Sequence, residues 1–246
     1  MRNRAYLRFE LLRTFRNRRF FILGLAFPVV IYFLIAAPNR DESNLAGTGI
    51  SLPLYFMVAM ASFGTMNAVI SSGARIAAER AVGWNRQLRL TPLSARHYFR
   101  AKVLTGYVLA LCTIAVLYTS GAILGVHMPA GRWVAMTWLM LVGLIPFAAL
   151  GIVFGHALTP DSIGPAMGGT TALLGFLGGV WFPITGGGFF EHLAKLLPSY
   201  WLVQAAHIGT GANHPWGSQG WAVIAFWSVV LTFLAVRAYR RDTQRV

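Results

Sequence analysis

Residues 52–73 read LPLYFMVAMASFGTMNAVISSG, residues 74–101 read ARIAAERAVGWNRQLRLTPLSARHYFRA, and residues 102–126 read KVLTGYVLALCTIAVLYTSGAILGV. The first and third stretches are apolar and long enough to cross a bilayer, which takes roughly 20 mainly apolar residues. The stretch between them is basic. Arg75, Arg80, Arg86, Arg89, Arg96 and Arg100 lie in it, and Lys102 closes it. Cytoplasmic loops of membrane proteins retain Lys and Arg, so the pattern predicts two spans joined by an inward-facing loop.

The same signature repeats at both ends of the chain. Residues 1–19 hold seven arginines and residues 237–245 hold four, so that eighteen of the 21 basic residues fall in three clusters. Apolar stretches predict six spans, at about 20–37, 52–73, 102–126, 133–157, 163–184 and 219–238. With both termini inside, the outward loops at 38–51, 127–132 and 185–218 carry only Arg40, Arg132 and Lys195. Trp133, Trp181, Trp201, Trp216 and Trp221 fall near the outer boundaries, where interfacial aromatics belong. The chain reads as a single all-α transmembrane domain over residues 1–246.

Composition excludes other classes. An apolar share of 56% with 11% charged residues does not suit a soluble domain, where about a quarter of residues are charged. The net charge of +14 is accounted for by topology and comes with no nucleic-acid-binding signature; no nucleic-acid partner is expected. Cys112 is the one cysteine, with no partner for a disulfide or a CxxC metal site. The apolar run from Phe20 to Ala37 exceeds the core of a signal peptide, which favours an uncleaved first span. No lipidation motif is present.

Residues 4–19 predict a helix along the inner surface. Leu7, Leu11 and Phe15 make its apolar stripe, and Glu10, Arg13, Arg16 and Asn17 its polar face. Glycines four apart (Gly121 and Gly125, Gly151 and Gly155, Gly164 and Gly168, Gly175 and Gly179) predict close helix contacts, most of them within one subunit. Pro28, Pro146 and Pro165 mark kinks. Between spans 5 and 6, Gly186-Gly187-Gly188 and Pro198 interrupt short amphipathic pieces containing Leu193, Leu196, Leu197 and Tyr200-Trp201. Glu191, His192 and Lys195 make a seventh span costly, so helices dipping into the outer leaflet are expected there.

The central loop carries the functional signal. Gly83 permits a break in the chain, and Thr91-Pro92 stops any helix that starts after it, because the residue before proline is biased away from helix. A helix of about two turns fits between them, with Leu88 and Leu90 among Arg86, Gln87 and Arg89. Such an element can dock in a groove on a cytosolic protein; a basic loop held near anionic lipid is the simpler reading.

Here the sequence resembles the ABC type-2 exporter permeases, the membrane subunits of bacterial ABC transporters. Their loop pattern runs close to Glu-Arg-x-x-Gly-Thr-x-x-x-Leu-x-x-Thr-Pro. Glu79, Arg80, Gly83, Leu88, Thr91 and Pro92 match it, while Trp84-Asn85 replaces the usual Thr-Glu. Residues Gly178 to Ile184, with Gly179, Phe182 and Pro183, and the later Leu197, Pro198, Tyr200 and Trp201, are similar to the family's fifth span and outer re-entrant helices. The resemblance implies a permease in the bacterial inner membrane with both termini cytoplasmic. It also implies a second permease copy or homologue, membrane lipids around it, and cytosolic ABC ATPase subunits as partners. Glu79, Arg80, Gly83, Trp84, Asn85, Arg86, Leu88, Arg89, Thr91 and Pro92 would then form the docking element, a cytosolic coupling helix.

No cofactor is expected on this chain. The sequence lacks a GxxxxGK(S/T) phosphate loop, so ATP and Mg would sit on the partner. An amphipathic or hydrophobic cargo (a drug, a lipid or a lipid-linked molecule) fits spans without charged lining residues. The alternatives are an intramembrane enzyme, or a channel or scaffold. The enzyme would need ligands or acid–base pairs within the spans, yet the six histidines are scattered. His156 and Asp161 are placed to pair near the inner surface or to cap their spans, and His207 and His214 flank an outer glycine-rich turn.

Overall fold

The computed structural model describes residues 2–84, 87 and 94–244. Its described residues form helices joined by turns and irregular segments, with no strand among them. In chain order they form α1 (Arg2–Arg16), α2 (Arg18–Ala36), α3 (Leu52–Ala81), α4 (Ala95–Ile123), α5 (Ala130–Gly143), α6 (Ile145–Ala157), α7 (Pro160–Leu177), α8 (Phe189–Lys195), α9 (Pro198–Gln204) and α10 (Gly217–Gln244). Short 3-10 turns occupy Leu45–Gly47 and Ala205–Ile208. Among the described residues, four helical stretches are long and apolar enough to cross a membrane: Leu52–Ala81, Arg96–Ile123, Ala130–Ala157 and Gly217–Asp242. Gly24–Ala36 is a shorter apolar helix.

α3 is the centre of the bundle. Its apolar window is 83% buried, against 17% for the peripheral α10. α4 and α6 pack along α3, α10 packs outside α6, and α2 and α7 cover another side of α3. Lipid offers no hydrophobic drive between helices, so close backbone packing must hold them. A Cβ on Gly73 would lie 2.4 Å from the carbonyl carbon of Gly151, and one on Gly155 2.5 Å from the Gly73 oxygen. α3 and α6 therefore touch backbone to backbone. Polar side chains on the helices turn back to carbonyls one turn earlier, as Ser62 does to Val58 at 2.7 Å and Thr113 to Leu109 at 3.0 Å. That satisfies groups that lipid cannot.

Several expectations from the sequence shift. Thirty residues of α3 measure about 45 Å, against about 30 Å of hydrocarbon. The helix thus continues through Arg75, Glu79 and Arg80 instead of ending near residue 73. α4 likewise begins at Ala95, so the true loop is much shorter than the basic stretch. The fourth expected span is two helices that meet at Leu144, with Pro146 in the first turn of the second. Proline lacks the N–H that would continue the first helix, and its fixed φ suits a helix start. α7 ends at Leu177, not 184; Gly179 takes φ +80° and the chain leaves the helix. Of the glycine pairs, Gly151 and Gly155 pack inside the chain, whereas nothing approaches Gly164 or Gly168.

α1 also differs from its expected orientation. Of the expected stripe, Leu7 and Leu11 are half-buried and Phe15 is exposed; of the expected polar face, Arg13, Arg16 and Asn17 are exposed, but Glu10 is buried at 1% exposure, as is Thr14 at 0%. Ion pairing through Glu10 thus shares with part of the apolar stripe the side turned to the bundle.

Candidate functional site

Glu79 and Arg80 are adjacent on the last turn of α3, and neighbours on a helix diverge by about 100°. They reach opposite sides of the bundle. Glu79 is 2% exposed. Its Oε1 accepts from Lys102 Nζ at 2.6 Å and from Arg13 Nη1 at 2.7 Å, and its Oε2 accepts from the Tyr98 hydroxyl at 2.6 Å. Lys102 is fully buried, and also donates to Glu10 Oε1 at 2.5 Å. One turn further along α1, the Thr14 hydroxyl accepts from Arg75 Nη1 at 2.8 Å. A single lysine thus joins α1, α3 and α4.

Removing an ion from water costs several kcal/mol even in a relaxed protein, and only close, well-bonded counter-charges offset it. Glu10, Glu79, Lys102 and Arg13 supply two charges of each sign. Glu10 Oε2 is nevertheless left buried without a hydrogen bond. Such a cluster is a poor source of stability and a good source of register between the three helices.

On the other side, Arg80 Nη2 lies 2.6 Å from Asp242 Oδ1 in α10. Arg80 Nη1 donates to the carbonyls of Gly155 at 3.2 Å and His156 at 2.9 Å. These belong to the last turn of α6, where carbonyls have no helical partner and the dipole favours a cation. Asp242 Oδ2 meets His156 Nδ1 at 2.9 Å. Phe99, His156 and Tyr239 pack edge to face beside this junction, with Phe99 and Tyr239 ring centroids 5.1 Å apart. His156 therefore pairs with Asp242 and not with Asp161, which lies in the first turn of α7, one of the span ends it is expected to cap.

Beyond Arg80 the chain turns at Gly83, whose φ of +70° is the left-handed geometry that ends helices cheaply only at glycine. Gln87 N–H donates to the Gly83 carbonyl at 3.3 Å, and Trp84 stacks against Phe9 of α1 at 6.5 Å. Trp84 and Gln87 are both helical. Asn85, Arg86, Leu88, Arg89, Thr91 and Pro92 lie outside the described residues. The carboxylate of Glu79 is turned into the bundle rather than onto the surface of the loop.

The other expected residues gather at the opposite end. The Tyr55 hydroxyl donates to the Gly179 carbonyl. Pro198 opens α9, with Leu197 just before it, and Tyr200 and Trp201 are buried in the core. Trp201 Nε1 donates to the Lys195 carbonyl at 3.0 Å, and Trp216 Nε1 to the Trp201 carbonyl at 2.6 Å. Phe182 remains exposed, and Pro183 follows it on the irregular segment after α7.

The hub is not visible to sequence reasoning, in which Lys102 is one more topological charge and Glu10 part of an outward face. The available signal is scarcity: the chain has seven acids, and three of them, Glu10, Glu79 and Asp242, sit within the basic clusters. An ionisable residue at the edge of a span calls for a named partner.

Long apolar helices around a central α3, with charged groups gathered at the end where both terminal helices meet it, define a multi-pass membrane protein. The sequence profile of the ABC-2 type transporter family matches residues 2–209, and the chain belongs to that family. It is 26% identical over 244 residues to the Bacillus subtilis (strain 168) protein named "Putative transport permease YvfS", an alignment covering 96% of this chain and 95% of that one.

Proposed function

We propose that the chain is the membrane-spanning half of an ABC exporter, and that the segment from Gly83 to Pro92 docks a cytosolic ABC ATPase. The observation that carries this reading is the divergence of Glu79 and Arg80 immediately before that segment. Glu79 ties its entry to α1 and α4; Arg80 ties it to α6 and α10. A displacement imposed on the loop is then shared by five helices. Trp84, Asn85, Arg86, Leu88 and Arg89 form the contact surface, Gly83, Thr91 and Pro92 bound it, and Glu79 and Arg80 position it.

The reading includes six spans, with α2 and α7 as the first and fifth, α1 lying along the inner surface, and α8 and α9 as re-entrant helices in the outer leaflet. Both termini are then cytoplasmic, in a bacterial inner membrane. A second permease packs against the side bearing Gly164 and Gly168. ATP and Mg bind the partner ATPase, and this chain has no catalytic role. The cargo is amphipathic or hydrophobic and moves outward. A groove of about 260 Å³ supports that cargo class. It is lined by Phe27, Phe63, Leu109 and Met167, with Asn67 and Ser71 as its polar points.

The test is co-purification from native membranes. The wild-type chain brings an ABC ATPase with it, and the double variant Leu88→Asp, Arg89→Asp loses it while remaining folded. An ATPase retained equally by both proteins would overturn the docking assignment.

A further inference from the structure

On the side of the bundle away from α2 and α7, a groove of about 550 Å³ runs between α4, α6 and α10. Phe99, Val103, Tyr107, Ile152, Val236 and Tyr239 are among its almost wholly apolar walls. The groove begins beside the Phe99–Tyr239 ring contact, at the charged end of the molecule, and extends to Tyr107 on α4 and Thr232 on α10. Eight residues of helix rise about 12 Å, close to the roughly 15 Å hydrocarbon depth of one leaflet. Its length is that of an acyl chain in the leaflet on the arginine-rich side.

The mouth of the groove is positively charged. Helical periodicity places Arg96 and Arg100 on the same face of α4 as Phe99, Val103 and Tyr107, and both are exposed. Arg96 precedes the groove residues on α4 and Arg100 directly follows the first of them, Phe99, so both stand at the charged end of the groove, where lipid phosphates would lie. α4 and α6 contain no acid, and the one acid of α10, Asp242, is held by Arg80 and His156. A tail-sized apolar slot under two guanidinium groups, with no carboxylate facing them from its own helices, is complementary to an anionic amphiphile. Long arginines can keep their stems along the apolar wall while the heads reach the phosphate.

We propose that this groove holds one anionic glycerophospholipid of the adjacent leaflet, its tail between α4, α6 and α10 and its phosphate on Arg96 and Arg100. The lipid seals the seam beside α10, so that the Arg80–Asp242–His156 junction is closed off from the bilayer. The site is independent of the docking loop and of the cargo groove, which lies between α2, α3, α4 and α7.

The test uses the full-length protein reconstituted in nanodiscs containing a photoactivatable phosphatidylglycerol, with photoactivatable phosphatidylcholine in a parallel sample. Cross-linked peptides are then mapped. Phosphatidylglycerol should label α4 and α10 preferentially, and phosphatidylcholine should label them weakly. Each guanidinium near an anionic surface is worth roughly a fivefold preference, so Arg96→Gln with Arg100→Gln should lower that labelling about 25-fold. Ala148→Phe, which fills the slot without touching charge, should lower labelling of α4 and α10 by both lipids. The thermal unfolding midpoint of each variant reports that it is folded; an unfolded Ala148→Phe is replaced by the smaller Ala149→Val, with the same expectation. Equal labelling by the two lipids, or labelling unchanged in the double arginine variant, would overturn the proposal. So would loss of the phosphatidylglycerol label on adding a transported cargo, because the groove would then belong to the transport pathway.

Discussion

The two ends of the molecule are held together by different chemistry. At the end where the terminal helices meet α3, the buried Lys102, Glu10 and Glu79 form one charge cluster with the more exposed Arg13, and Arg80, Asp242 and His156 form another, partly buried one. At the opposite end the contacts between elements are aromatic and backbone-directed, and the ion pairs Glu191–Lys195 and Arg40–Asp41 are local. Trp216 donates to the Trp201 carbonyl, Tyr55 to Gly179, Trp227 to Leu196 at 2.8 Å, and Arg132 to Gly209 at 3.0 Å. Apolar packing is non-directional and tolerant, whereas a buried ion pair holds only in one geometry. The difference places the demand for a defined register at the end where α3 leads into the loop after Gly83, the segment proposed to dock an ATPase.

Lys102 is where the two ends should differ most. Lys102→Met strands two buried carboxylates and should cost about 3–5 kcal/mol, read as a lowered unfolding midpoint of the purified protein. Replacing the whole cluster, with Glu10→Leu and Glu79→Leu added to Lys102→Met, should recover most of that stability while transport stays lost. If the triple variant transports normally, the charges are only structural. At the other end, Trp216→Ala empties a nearly fully buried site and should cost about 3 kcal/mol, with transport per folded molecule unchanged.

Smaller effects separate the ends in the same way. Asp242→Asn weakens the link from Arg80 to α10 and His156 and should cost about 1.5 kcal/mol, in the range for hydrogen bonds to charged groups. Transport should fall with it, although the ATPase still binds. Tyr55→Phe removes one hydroxyl bond and should cost about 1 kcal/mol without altering transport. Unfolding midpoints and vesicle transport on the same preparations check both.

The three basic clusters announce which residues share an end, where Glu10 meets Lys102 and Asp242 meets Arg80. Hydropathy does not show where the helices stop. α3 and α4 carry their Arg-rich turns as helix, because Ala74, Ile76, Ala77 and Ala78 are compatible with helix whether or not lipid surrounds them. Nor does the apolar stripe of α1 by itself show that Glu10 belongs to its docking face. That placement is set by Lys102, far along the chain from Glu10, and no local pattern encodes so distant a partner. The reverse holds after Leu177, where Val180 to Ile184 read as a continuing span although Gly179 turns the backbone aside.

Glu79, braced to α1 and α4, is held to position the docking segment, and transport per ATP hydrolysed puts that role at risk. The measurement uses the reconstituted permease–ATPase complex carrying Glu79→Gln. That change keeps the shape of the side chain and removes the charge that faces Lys102 and Arg13. The complex should assemble and hydrolyse ATP but move at least about tenfold less cargo per ATP, the loss of roughly 1.4 kcal/mol of coupling. An unchanged ratio of cargo to ATP would show that Glu79 has no part in coupling.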